Sequence, residues 1–220
     1  MCGRYSLGNT DGMTEFFEIS EVRLPPRFNI SPSQLAPSIR IDEEGKRRLD
    51  HLQWGLVPHW FRDKPASSMF INARAETVHQ KPAFRIAFRR HRCLVPADGF
   101  FEWRKMTGGK QPYFISLRNQ PLFAFAGIRD RVSKEPAPLE SFSIITCEAN
   151  ELISDIHARM PVILPPENFD DWLKSDDQRQ LQDLLVPYPA EEMQMHPVSR
   201  LVNSPVNDRP ECVRRLEENS

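Results

Sequence analysis

The stretch Phe100-Phe101-Glu102-Trp103-Arg104-Lys105-Met106-Thr107-Gly108-Gly109-Lys110-Gln111-Pro112-Tyr113-Phe114-Ile115-Ser116-Leu117 decides the fold class. Its two ends, Phe100–Trp103 and Tyr113–Leu117, are rich in the aromatic and β-branched side chains that suit a pleated, half-buried surface. Gly108-Gly109 between them reads as a hairpin turn, because glycine reaches backbone angles that other residues resist. The two strands are therefore expected to pair antiparallel. The same signature recurs at Leu52–Leu56, Cys93–Val95, Phe123–Ile128, Phe142–Thr146, Val162–Leu164 and Met195–Val198. Helical patterns are fewer: Thr14–Ile19, Ala73–Arg90 with an interruption at Pro82, Pro166–Lys174 with its proline and acidic first turn, and Asp177–Leu185. Many strands and few helices in irregular order predict one α+β domain over residues 1–220. Its sheet is expected to be mainly antiparallel and barrel-like, with a few flanking helices.

A length of 220 residues with 40% hydrophobic and 27% charged content describes a soluble globular chain with a sizeable core, not a disordered or membrane one. No apolar run has transmembrane length, and the N-terminus lacks a signal-peptide pattern. Cys2, Cys93, Cys147 and Cys212 lie far apart, with no C-x-x-C and no Cys/His cluster, which argues against zinc and against a disulfide framework. Reduced thiols in a cytoplasmic compartment are expected. The net charge of −1 hides an asymmetry: Arg74 to Arg92 carries six Lys or Arg against Glu76 alone, while Glu167 to Asp183 carries six acids against Lys174 and Arg179. Such segregation gives either one basic face or an ordinary solvated helix surface.

Cys2, inside Met1-Cys2-Gly3-Arg4-Tyr5, carries the most specific chemistry. If Met1 is removed, one carbon bears an amine and the next a thiol, both partly nucleophilic near neutral pH. Such a 1,2-aminothiol can attack an amide, or trap an aldehyde as a Schiff base that the thiol closes into a thiazolidine. Otherwise Cys2 is an ordinary second residue. Glu102 lies among Phe100, Phe101 and Trp103, neighbours able to raise a carboxyl pKa into the range useful for general acid–base work. By strand alternation it projects away from Phe101 and Trp103. His157 carries the imidazole that titrates near neutrality, and is otherwise a structural histidine before a strand. Asn72 is either a polar anchor or the N-cap of the Ala73 helix. Trp54, Trp103 and Trp172 are assigned to the core.

Four stretches stand above the background: Met1-Cys2-Gly3-Arg4-Tyr5, Asn72-Ala73-Arg74-Ala75-Glu76-Thr77, Gly99-Phe100-Phe101-Glu102-Trp103 and Ile156-His157-Ala158-Arg159-Met160-Pro161. Together with Trp54-Gly55-Leu56-Val57-Pro58 and His196-Pro197-Val198-Ser199, their order and spacing resemble the SOS-response-associated peptidase family of abasic-site processing proteins. The resemblance runs over about residues 2–207 and leaves the Asp130–Leu139 loop and a variable tail over 208–220 unmatched.

The resemblance implies an abasic-site sensor that crosslinks Cys2 to the ring-opened sugar in single-stranded DNA and shields the lesion from strand cleavage. It implies catalytic roles for Cys2, Asn72, Glu102 and His157. Glu102 would handle the protons of the amine and carbinolamine, and His157 would open the sugar. It further implies DNA contacts from Arg4, Arg74 and Arg159 to phosphates and from Trp60 and Phe61 to bases, with Asn29 and Pro32 near the strand path. No cofactor or metal is implied. The expected partner is single-stranded DNA containing abasic sites, bound by a monomer without membrane association, in the cytoplasm or at the nucleoid of a bacterium. Two readings compete: an N-terminal-nucleophile protease or amidase that removes its own Met1, and a non-catalytic reader of damaged DNA.

Overall fold

The computed structural model describes residues 2–60, 69–133 and 137–217. Thirteen strands are formed among these residues. A first, antiparallel sheet has the order β13-β8-β7-β1-β2, built from β1 (Tyr5–Leu7), β2 (Arg27–Ile30), β7 (Gly99–Met106), β8 (Gly109–Leu117) and β13 (Met193–Pro197). The second sheet contains β3 (Leu35–Ile41), β4 (Arg47–Trp54), β6 (Arg92–Ala97), β9 (Phe123–Val132) and β10 (Leu139–Glu148), with β5 (Asn72–Arg74), β11 (Arg159–Pro161) and β12 (Ile163–Leu164) on its margins. Its pairings run β10–β4, β4–β3, β3–β6, β6–β9 and back from β9 to β10, so five strands close into a barrel. β4 covers β10 only at Ser141 and Phe142, so beyond them β10 keeps an edge for a further strand. An antiparallel, barrel-like α+β fold is what the sequence pattern called for.

The barrel interior is aromatic. Tyr5 meets Trp54 edge to face at 5.2 Å and Phe125 at 5.7 Å, and Phe100 meets Phe125 at 6.0 Å. Because Tyr5 and Phe100 belong to the first sheet, these contacts lock the two sheets onto one shared core. The other face of the first sheet is covered by Val198, Val202 and Cys212, which pack on Phe101 and Phe114. That outer layer reaches into the C-terminal stretch: Asp208 accepts hydrogen bonds from Arg27 and from the backbone N–H groups of Phe28 and Asn29, and Cys212 is fully buried.

Five short α-helices among the described residues decorate the barrel: α1 (Met13–Phe17), α2 (Arg85–Arg90), α3 (Glu151–Ser154), α4 (Phe169–Lys174) and α5 (Gln178–Asp183). Phe17 of α1 stacks on Phe169 of α4 at 5.6 Å, and Trp172 donates to the Cys93 carbonyl at 3.0 Å. Asp177 caps α5 as its acidic side chain accepts from the N–H groups of Arg179 and Gln180. No helix among the described residues is long and apolar enough to cross a membrane.

Two local readings are corrected. The Ala73–Arg90 helix shrinks to α2; Asn72–Arg74 is instead a strand parallel to β10, with Asn72 opposite Ile144 and Arg74 opposite Thr146. Pro82 disfavours helical geometry in the residue before it, and the edge of β10 offers ladder hydrogen bonds to a strand. The hairpin turn sits one residue earlier than read: Met106 pairs with Gly109, so Thr107 and Gly108 make the turn, with φ 90° at Gly108. Gly99 starts β7 for a steric reason, since a Cβ there would lie 2.1 Å from the Phe114 ring.

Candidate functional site

Four chain segments converge where the first sheet meets the barrel. Phe101 N–H donates to the Arg4 carbonyl at 3.0 Å, and Tyr5 stands opposite Phe100. Carried back along the chain, that register brings the N-terminal residues alongside Glu102. Cys2 is fully buried there. Asn72, at the start of β5, donates from Nδ2 to the Cys2 carbonyl at 2.8 Å. Being in a strand, Asn72 is not a helix cap. Its Oδ1 is buried and accepts no hydrogen bond among the described residues.

Alternation along β7 behaves as read. Phe100 joins the main core, Phe101 the outer cluster, and Glu102 returns to the inner side with 4% of its surface exposed. His157 arrives by a different route. Asn150 caps α3 by accepting from the Ile153 N–H at 3.1 Å, and the helix ends with His157 N–H donating to the Ile153 carbonyl at 2.9 Å. The ring is then fixed by the next strand: Arg159 N–H donates to His157 Nδ1 at 3.0 Å. In the neutral ring that bond leaves the proton on Nε2, while Nδ1 of a protonated ring can donate to the Arg159 carbonyl, 3.1 Å away. Glu102 and His157 line one cavity of about 590 Å³, shared with Trp103, Lys105, Lys110 and Asp155.

The electrostatics follow from burial. Desolvation pushes the Cys2 thiol far above its ordinary range, and the nearby Glu102 charge pushes the same way. Burial likewise raises the Glu102 carboxyl, opposed by the charge of His157. Glu102 is within electrostatic reach of both Cys2 and His157. A neutral thiol, a carboxyl poised to hold its proton and an imidazole with a fixed tautomer suit stepwise proton transfer more than attack by a ready-made thiolate.

The expected DNA contacts divide. Arg74 is exposed on β5 beside Asn72, and Trp60 is 51% exposed in the turn after β4. Phe61 lies outside the described residues. Pro32 is half-buried in the turn after β2. Asn29 is fully buried and works internally: Oδ1 accepts from Arg4 Nη1 at 2.8 Å, and Nδ2 donates to the carbonyls of Ser204 at 3.0 Å and Asn207 at 2.6 Å. Arg4 also donates to the Val202 carbonyl at 2.6 Å. Arg159 is held by a two-pronged ion pair with Glu76, both contacts 3.0 Å, and by the Thr146 carbonyl.

Sequence reasoning missed Trp103, Thr146 and Glu76. Trp103 is half-buried, packs against the outer cluster as its core reading expects, donates from Nε1 to Asn203 Oδ1 at 2.7 Å and also lines the cavity. Trp54 and Trp172 are fully buried, as assigned. No cluster of three or more metal-ligating side chains occurs among the described residues.

Comparison with known proteins places these residues in a family. The sequence profile of the family described as "SOS response associated peptidase (SRAP)" matches residues 1–205. The abasic site processing protein YoqW of Bacillus subtilis (strain 168) is 44% identical over 223 residues, covering 97% of this chain and 99% of the relative. The abasic site processing protein HMCES of Gallus gallus is 35% identical over 231 residues, covering 90% of this chain and 69% of the relative. The crystal structure of a protein from Bacteroides thetaiotaomicron superposes with a TM-score of 0.88 at 30% identity, covering 98% of this chain and all of that one.

Proposed function

The chain belongs to the SOS response associated peptidase family, and from that premise we propose that it captures abasic sites in single-stranded DNA by a covalent bond to Cys2. The observation that carries the reading is the Asn72 hydrogen bond to the Cys2 carbonyl, which fixes the N-terminus in a buried position beside Glu102 and His157.

Once Met1 is removed, the Cys2 amine adds to the open-chain C1′ aldehyde. His157 moves the proton that opens the sugar ring. Glu102 protonates the carbinolamine hydroxyl, which leaves as water and gives an iminium. The thiol then adds to the iminium carbon and its proton passes to the Glu102 carboxylate, closing the thiazolidine. One amine, one thiol and one aldehyde become one ring and one water. Ring closure removes the iminium that would acidify C2′ and promote strand cleavage, so the lesion is shielded. Arg74 serves the flanking phosphate, and Trp60 with Phe61 serves the neighbouring bases. Arg159 joins them only by leaving or sharing Glu76. Within this scheme Arg4 and Asn29 act as scaffold, tying β1 and β2 to the C-terminal layer.

Intact-protein mass after incubation with a short oligonucleotide bearing one abasic site tests this. The expected product is the protein without Met1, plus the oligonucleotide, minus one water, and it disappears in Cys2→Ala. No adduct from protein already lacking Met1 would overturn the reading.

A further inference from the structure

On the far side of the turns that follow β5 lies a second cavity, of about 540 Å³, lined by His79, Arg85, Ile86, Arg89, Arg90 and Gln178. No acid lines it. Arg85, Arg89 and Arg90 are exposed, and none of them forms an ion pair among the described residues. Of the nearby acids, Asp177 is committed to capping α5 and Glu76 to its ion pair with Arg159. His79 Nδ1 is buried and has no hydrogen-bond partner among the described residues.

The ordinary reason for arginines at the end of a short helix is to complement its terminal carbonyls. That task is already performed by another residue. Arg92, 7% exposed, donates from Nη1 to the carbonyls of Phe88 at 2.8 Å and Arg89 at 2.7 Å, and from Nη2 to Ser175 at 2.6 Å. His91 N–H donates to the Ala87 carbonyl at 2.8 Å. The guanidinium groups of Arg85, Arg89 and Arg90 are therefore left with no structural work around a cavity, on a protein whose net charge is −1. Three like charges gathered with no ion-pair partner among the described residues repel one another, and an anion relieves that repulsion. Planar guanidinium forks suit phosphate oxygens, and the exposed Ile86 offers an apolar contact for a sugar.

We propose that the α2 cavity is a second phosphate-binding site, holding the backbone of the bound nucleic acid beyond the nucleotides that flank the lesion. The site rests on the DNA reading above and extends it from a lesion pocket to a longer track. Arg74 and His79 are the two ends of the intervening segment, so the track leaves the reaction cavity along the turns after β5.

The test uses single strands of about 9 and about 30 nucleotides carrying a tetrahydrofuran abasic analogue, which binds without reacting, and the triple variant Arg85→Gln, Arg89→Gln, Arg90→Gln. Each phosphate contact to a single strand contributes about 0.7 to the log–log salt slope. Losing three contacts flattens it by about 2, so between about 50 and 200 mM salt the wild type loses roughly 20-fold more affinity for the long strand than the variant does. On the short strand the two proteins are expected to bind alike, and on a reactive short strand to reach the same adduct yield. Equal salt slopes on the long strand would overturn the site, and an equal loss on both strands would place these arginines in the lesion cleft instead. Retained DNA binding with lost binding of tripolyphosphate would assign the cavity to a free polyphosphate and also overturn the proposal. Failure of the crosslinking reading is distinguishable, because it appears as no adduct from either protein on the reactive short strand.

Discussion

Replacing Asn72 tests the site without touching a reacting group. Its Nδ2 donates to the Cys2 carbonyl at 2.8 Å in a half-buried setting. A neutral hydrogen bond of this kind contributes about 0.5–1.5 kcal/mol net, and leaving its buried acceptor unsatisfied costs about 1–3 kcal/mol. If that bond positions the amine and thiol, Asn72→Ala forfeits about 1.5–3 kcal/mol of the reactive geometry, which is a roughly 10- to 150-fold slower reaction. Asn72→Asp is the sharper variant. It keeps the shape, removes the donor and sets a negative charge beside the Cys2 carbonyl and the buried Glu102, so it is expected to slow the reaction at least as much. The assay is single-turnover adduct formation at saturating protein, followed by denaturing gel against time, with oligonucleotide affinity measured separately on the unreactive analogue. A rate loss at unchanged affinity supports positioning. Wild-type rates in both variants, in folded protein, would refute the argument that the amide holds the nucleophile.

Glu102→Gln is expected to slow adduct formation and to change how stability depends on pH. Burial raises the folded carboxyl above its ordinary value, so the wild-type fold is favoured while the group is protonated and loses that contribution as pH rises through the folded pKa. Glutamine removes the dependence, and the melting temperature of the variant relative to wild type should climb as pH rises above the ordinary carboxyl range; a flat difference would contradict the burial argument. Glu76→Gln releases Arg159 and removes a negative charge from the proposed strand path. An acid about 7 Å from a phosphate at an effective dielectric of about 40–50 costs about 1 kcal/mol, so single-stranded DNA should bind about fivefold more tightly at low salt, the gain fading as salt rises. Its effect on stability should stay within about 1 kcal/mol because Glu76 is substantially exposed. Unchanged affinity would mean that Arg159 keeps its ion pair when DNA binds.

The barrel was legible because its strands announce themselves. Phe123–Ile128 and Phe142–Thr146 grew at their ends into β9 and β10, and the Phe100–Leu117 hairpin held to within one residue at its turn. What stayed hidden were strands with no independent signal. Tyr5–Leu7 and Asn72–Arg74 have three residues each and exist because an open ladder awaits them on β7 and β10. β3 carries Pro37 at its centre, which its sparse pairing with β6 tolerates, since only Ile39 meets Leu94 there. The same limit applied to the site. Cys2, Asn72, Glu102 and His157 could be named from local motifs, but that Arg159 is occupied by Glu76 and Arg4 by Asn29 is a fact of tertiary geometry. Trp103 packs on the outer cluster as an indole is expected to, and only the tertiary geometry shows that it also lines the reaction cavity.

The burial of Cys2 bears on why an aldehyde would be its partner. A fully buried thiol, held neutral by desolvation, is a poor nucleophile toward oxidants and stray electrophiles, since reactivity belongs to the thiolate. An amidase acting through that sulfur would have to overcome the same penalty at every turnover. In the proposed sequence the amine reacts first, and the iminium it creates lies on the neighbouring atom, where a neutral thiol needs only a nearby acceptor for its proton. Glu102, having given its proton to the departing water, is then a carboxylate in a site whose burial disfavours that charge. It regains a proton by taking the one from sulfur. The burial that silences the thiol in the resting protein thus drives ring closure once the lesion has supplied the electrophile, and the chemistry becomes conditional on the damage it answers.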